Sequence, residues 1–131
     1  MKKIISIIIL TFGLSVFAQN IPKVMKTEFP VAALQDEVMT INGNSESIEK
    51  ALSHYKGKIV LLDLWATWCG DCITNLPSLK SLHHNNPDVV FVYLSMDKSV
   101  EAWKNGIEKY QIEGEHFYMG NNWKGNFGTG I

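Results

Sequence analysis

The chain contains no arginine: all twelve of its basic residues are lysines. Without a guanidinium fork there is no bidentate clamp for phosphate or carboxylate, so phosphoryl-transfer chemistry loses support. Neither G-x-x-x-x-G-K-[ST] nor G-x-G-x-x-G occurs. Excess charge of one sign is also missing. The formal net charge is −1, and nucleic acid is not an expected partner. Cysteine is scarce, with two in 131 residues. No apolar run reaches the roughly 20 residues that a membrane-spanning helix needs.

What apolar length there is lies first at the N-terminus. Lys2-Lys3, the run Ile4 to Phe17 and the small-residue pattern Val16-Phe17-Ala18 form the three parts of a secretory signal peptide over residues 1–18. Cleavage after Ala18 leaves 113 residues, enough for one domain, and takes the net charge to −3. Export implies a periplasmic or otherwise extracytoplasmic location, where disulfides persist. No membrane contact is expected beyond the signal peptide. Residues 19–40, with Pro22 and Pro30 and little periodicity, read as an N-terminal lead-in, and the folded domain is expected over 41–131.

Asn42-Gly43-Asn44 is a turn signal compatible with a short hairpin. Ser45 or Ser47 then opens a helix with Ile48, Leu52 and Tyr55 on one face, closed by Lys56-Gly57-Lys58. Ile59 to Trp65 is short and apolar on both faces, the pattern of a strand buried on both sides. Ile73, Leu76, Leu79 and Leu82 predict a helix from about Cys72 to His84, kinked at Pro77. Val89 to Leu94 is a second strand at βαβ spacing, which implies parallel pairing and an α/β fold. Beyond it, Asp97 or Ser99 caps a helix carrying Val100, Trp103, Ile107 and Tyr110 as far as Gly114. Glu115 to Met119 follows as a brief strand, and Trp123 with Phe127 marks the start of a further helix.

The two cysteines, Cys69 and Cys72, stand three apart at the junction of the first long strand and its helix. So small a loop constrains little of the unfolded chain and makes a poor structural staple. A Cys-x-x-Cys at such a junction is the sequence form of a dithiol/disulfide centre. Cys69, at the helix N-terminus, is the residue favoured as thiolate, and it is expected to attack a substrate disulfide. Cys72, one turn in, is expected to resolve the mixed disulfide. Metal is not expected, since only His83 and His84 are available as companions and no zinc spacing results. Ile73 stands where covalent haem attachment needs histidine, and nothing marks the partner of a cysteine hydrolase. No cofactor is called for.

Asp63 is an acid inside the apolar strand, on the same face as Leu61 and Trp65 and six residues before Cys69. Burial should raise its pKa, and two roles stand open: a proton relay for Cys72 during resolution, or a structural acid satisfied by nearby donors. Trp68, Gly70 and Asp71 flank the nucleophile as candidate substrate contacts. The Asp71 carboxylate, some 7 Å from a thiolate, raises that thiolate's energy by about 0.5–1 kcal/mol. Destabilising the reduced form makes a better electron donor, so a reductant is expected.

The residues Val60 to Cys72, with Pro77 eight after Cys69, resemble the active-site segment of thioredoxin-like proteins. Within them, Trp65-Ala66-Thr67-Trp68-Cys69 resembles the exported TlpA/ResA-like thiol-disulfide oxidoreductases. The resemblance spans roughly Ser45 to Ile131 and is most secure from Lys58 to Asp97. It implies a central sheet flanked by helices, with Cys69 as nucleophile, Cys72 as resolving residue and Asp63 at the family's buried-acid position. Substrate protein disulfides or thiols and an upstream electron donor are the implied partners. The segment Asp97 to Met119 is similar to the helix and strand that the TlpA-like branch inserts. Asp71 departs from the proline usual between the cysteines. The family's cis-proline loop, hairpin and last helix do not follow Ile131, so the resemblance implies a domain incomplete at its C-terminus, by truncation or by completion from a partner or second copy. The alternative function is then an incomplete domain that binds without turnover.

Overall fold

The computed structural model describes residues 28–122 and 124–130; the signal-peptide reading of residues 1–18 and the expectation for Trp123 lie outside them. The elements run α1 (Val31–Leu34), β1 (Glu37–Thr40), β2 (Ser45–Ser47), α2 (Ile48–Ser53), β3 (Ile59–Trp65), α3 (Gly70–Asn85), β4 (Val89–Ser95), α4 (Val100–Tyr110), β5 (Glu115–Tyr118) and α5 (Asn126–Gly130). Five strands form one mixed sheet in the order β2-β1-β5-β4-β3. The pairs β3–β4 and β4–β5 are parallel, while β1 runs antiparallel to both β2 and β5. This is the α/β class expected.

Alternation along the strands divides the core into two layers. Val60, Leu62, Leu64, Val92, Leu94 and Phe117 face one way, where Ala33, Ile48, Ala51 and Phe127 of α1, α2 and α5 cover them. Leu61, Trp65, Phe91 and Tyr93 face the other way, against Leu76 of α3 and Trp103 of α4. The stripe Val100, Trp103, Ile107 and Tyr110 packs into this second layer as its spacing predicts.

Four expectations are corrected. The chain joins the fold before residue 41: α1 and β1 lie within 31–40, and β1 bridges β2 and β5. A four-residue strand that buries only Val38 leaves almost no periodic trace. Ile59 to Trp65 packs against a layer on each face but is less deeply buried than expected, since β3 is the edge strand among the described residues; Ile59 is 73% exposed and only Trp65 is fully buried. Helix α3 begins at Gly70 rather than Cys72, with Cys69 as its N-cap. Helix α4 stops at Tyr110 rather than Gly114, since Gln111 turns left-handed at φ 49° and caps it. The hairpin at Asn42-Gly43-Asn44 forms, and Ser47 and Ser99 cap α2 and α4 through their hydroxyls.

The last short helix is tied back across the whole chain. Asp36 accepts the Phe127 N–H at 2.8 Å and the Asn126 side-chain amide at 3.0 Å, while its carbonyl takes the Ile48 N–H. Phe127 is thereby held at 0% exposure beneath α1. Phe127→Ala is expected to cost about 3–5 kcal/mol. Asp36→Ala should cost about 1–2 kcal/mol through its lost hydrogen bonds. Both are read as lower urea midpoints at unchanged m-value.

Candidate active site

The site forms where β3 gives way to α3. The strand's last carbonyl, on Trp65, accepts the Met96 N–H at 2.9 Å, so parallel pairing with β4 persists to the strand end. The chain then makes a tight turn, Ala66 to Cys69, closed by the Cys69 N–H on the Ala66 carbonyl at 3.1 Å. Cys69 has extended backbone (φ −87°, ψ 97°), and its carbonyl accepts the Ile73 N–H at 3.1 Å, the first bond of the helix.

Its sulfur fills the capping role that a serine or aspartate oxygen usually takes. Cys69 Sγ accepts the Cys72 backbone N–H at 3.2 Å. Cys69 and Cys72 are joined in a disulfide, with Cα atoms 5.3 Å apart. Both are half-buried, but in different surroundings: Cys69 borders the layer of α1, α2 and α5, and Cys72 the layer of α3 and α4. Cys72 Sγ lies 3.9 Å from the Leu64 carbonyl, within reach of a weak S–H···O bond for a thiol at that position. A bond of that kind favours the thiol, whereas a sulfur that accepts N–H at a helix N-terminus is favoured as thiolate. The two sulfurs sit in unequal surroundings, one accepting an N–H at the helix end and the other beside a carbonyl.

Around them, Trp68 is 52% exposed, and Gly70 and Asp71 are exposed in the first turn of α3. A side chain added at Gly70 would meet nothing within 4 Å, so the surface beside Cys69 is open. Asp63 sits on the α3/α4 side of the sheet with Leu61 and Trp65, the side that also holds Cys72. Burial pushes its carboxyl above the ordinary value, and no hydrogen-bond donor among the described residues reaches it. Tyr93 lies opposite Asp63 across β3–β4, and burial, reinforced by that carboxylate, raises its hydroxyl. His116 stacks on Tyr93 from β5 and is lowered by desolvation, against a smaller opposing effect of the bond to the Ile112 carbonyl.

His83 and His84, the only companions a zinc site had, lie in the last turn of α3. At 1.5 Å per residue that is about 20 Å from the cysteines. His83 stacks on Phe91 instead. Asp97, weighed in the sequence only as a possible helix cap, is bonded to the turn that carries Cys69. Fully buried, it accepts the Thr67 N–H at 2.9 Å, the Thr67 hydroxyl at 2.6 Å and the Ser95 hydroxyl at 2.9 Å. The clue available was a Ser-x-Asp directly after an apolar strand, which alternation alone does not distinguish from a cap.

A thioredoxin-like family profile matches residues 57–127. The chain belongs to the thioredoxin-like family. Among relatives of this thioredoxin-like chain, a Haemophilus influenzae protein of no assigned function is 34% identical over 85% of the chain and 64% of its own length. The thiol-disulfide oxidoreductase ResA of Bacillus cereus is 31% identical over 47% of the chain and 37% of its own length. A solution structure described as a thiol-disulfide oxidoreductase, from Bacteroides vulgatus, superposes at TM-score 0.61 with 37% identity, covering 80% of this chain and 66% of that one. A secreted Mycobacterium tuberculosis disulfide oxidoreductase homologous to E. coli DsbE superposes at 0.57 with 25% identity, covering 72% and 69%. The chain thus spans from 37 to 64% of the length of these relatives known by sequence.

The raised Asp63 carboxyl fixes a sign for stability against pH. The folded protein holds this proton more tightly than the unfolded chain, whose value is 3.8. The associated stabilisation is present below that value and is lost as pH rises through the folded-state pKa. Asp63→Asn is therefore expected to raise the urea midpoint at pH 7, with the gain fading as pH approaches 3.8. A gain that persists undiminished at the acid end contradicts the assignment.

Proposed function

We propose that the protein is an extracytoplasmic thiol-disulfide oxidoreductase that acts as a reductant. The observation that carries the reading is Cys69 at the N-cap of α3, its sulfur accepting the Cys72 N–H, beside an open surface. Reduced Cys69 attacks one sulfur of a substrate disulfide as thiolate and expels the other as the substrate's first thiolate. Cys72 loses its proton and attacks Cys69, releasing the second substrate thiolate. Two electrons have then passed to the substrate, whose released thiolates take up protons from water and from the acid that received the Cys72 proton, and the Cys69–Cys72 disulfide remains. An upstream dithiol donor returns it to the reduced form.

Asp63 is placed in this scheme as the acceptor of the Cys72 proton, either directly or through one water. It lies on the same side of the sheet, half-buried and with no competing donor among the described residues. Trp68, Gly70 and Asp71 form the face presented to the partner protein. The reducing bias follows from Asp71, whose carboxylate opposes the thiolate that the helix end favours. Extracytoplasmic placement is supported by the basic and apolar pattern of residues 1–18 and by the secreted Mycobacterium tuberculosis relative.

Alkylation with mass readout across defined thiol buffers tests the proposal. A reversible two-electron couple at Cys69 and Cys72 is expected, with a potential on the reducing side of about −200 mV. Cys69→Ser should abolish substrate reduction, and Cys72→Ser should accumulate the mixed disulfide. A potential near about −120 mV, that of a strong oxidant, overturns the direction. Thiols that stay inert across all buffers overturn the enzymatic reading and leave a binding domain without turnover. For Asp63→Asn, resolution of the mixed disulfide should slow and lose its pH dependence; an unchanged profile removes Asp63 from the scheme.

A further inference from the structure

We propose that Asp97 is a positioning residue of the dithiol, holding Cys69 in place by clasping Thr67, the first corner of the turn that presents the nucleophile. The inference rests on the proposed role of Cys69 and extends it to a residue on another strand end.

Asp97 follows β4, and 30 residues separate it from Thr67, yet one carboxylate oxygen binds both the N–H and the hydroxyl of Thr67. Its other oxygen accepts the Ser95 hydroxyl, and its own N–H returns a bond to the same Ser95 oxygen at 3.1 Å. Asp97 and Ser95 are both at 0% exposure. Leaving such a carboxylate without donors would cost at least about 1–3 kcal/mol, so the site is built around these bonds. Thr67 and Trp68 are the two central residues of the turn closed between Ala66 and Cys69, so fixing Thr67 fixes the path into the cap.

A second observation, independent of the hydrogen bonds, points to the same residue. Gly106 lies inside α4, where glycine is less favourable than alanine by about 0.5–1 kcal/mol. A Cβ placed there would come within 2.4 Å of the Thr67 methyl and 3.1 Å of the Trp65 ring. The helix therefore has a notch into which Thr67 fits. Thr67 is held by a carboxylate at the end of β4 and by the notch in α4, so the Cys69 turn is seated from two elements outside the β3–α3 junction.

What this seating protects is the alignment of Cys69 Sγ with the helix end. Releasing Thr67 should weaken the Cys72 N–H bond to that sulfur and disfavour the thiolate. Removing Asp97 also removes a charge, which acts on a thiolate in the opposite sense, so the test needs variants that leave charge unchanged. In the full chain carrying Cys72→Ser, iodoacetamide alkylation of Cys69 is measured from pH 5 to 10. Thr67→Val, which loses the hydroxyl bond and keeps the methyl, and Gly106→Ala, which pushes on that methyl, are each expected to slow the reaction at pH 7. The expected loss is about threefold or more, with the titration midpoint displaced upward. Asp97→Asn should lack this loss, because the amide oxygen can still receive Thr67. Asp97→Ala combined with Thr67→Val should cost less than the sum of the two.

Unchanged profiles in folded Thr67→Val and Gly106→Ala overturn the proposal, as does an Asp97→Asn that reproduces the whole effect of Asp97→Ala. If Asp97→Ala does not fold, the two variants away from Asp97 decide. Failure of the oxidoreductase reading appears separately, as a Cys69 no more reactive than Cys72 in the parent chain when each is measured with the other replaced by serine.

Discussion

The site depends on one constraint, the parallel pairing of β3 and β4 in unbroken register from Ile59 opposite Val89 to Trp65 opposite Ser95. Equal strand lengths bring the two C-terminal ends level. The turn that carries Cys69 and the segment that carries Asp97 then emerge side by side. A slip of one residue would turn every side chain of β3 to the other face. It would exchange Asp63 and Trp65 with Leu62 and Leu64 and move the cysteine turn away from its clasp. Apolar alternation on both faces of β4 makes that slip expensive, since Phe91 and Tyr93 face one helical layer while Val92 and Leu94 face the other.

Strand end, turn and helix cap form a continuous set of short-range bonds. Trp65 O is bound by Met96, Thr67 by Asp97, Ala66 O by Cys69 and Cys69 Sγ by Cys72. Each bond is worth about 1 kcal/mol or little more on its own. Their joint effect is geometric. The chain leaves a sheet, which is held by many residues, and enters the helix at Cys69 within four positions, so there is little slack for the sulfur to wander.

Much of this was legible because it rests on local patterns. The cysteine spacing, the apolar runs on either side and the stripe on α4 each lie within about a dozen residues. The element types follow, and so does the position of Cys69 at a helix end. The misses share a cause of another kind. Asp97 acts on Thr67 across 30 residues, and β1 is held by a partner on each side rather than by its own apolar content. The helix end expected at Gly114 comes earlier, because Gln111 takes the left-handed turn, and Gly114 is needed for a different reason. A side chain there would press within 2.8 Å of the Phe91 carbonyl. Sequence spacing gives the glycine, and only the packing shows which of its uses applies.

In the proposed scheme the two acids near the cysteines separate two tasks that one carboxylate could not combine. Asp97 has every oxygen engaged by fixed donors, and any change in it is transmitted to the backbone ahead of Cys69. Asp63 is raised by burial and has no donor among the described residues, so it gains or loses a proton without breaking a protein hydrogen bond. Placing the uncommitted acid on the side of Cys72 and the committed one behind Cys69 matches what each sulfur needs. In that scheme the attacking sulfur needs a fixed position, because displacement at sulfur is sensitive to alignment. The resolving sulfur needs somewhere for a proton to go, because as a thiol it does not attack. If the roles were reversed, proton exchange would loosen the turn that presents the nucleophile in every cycle.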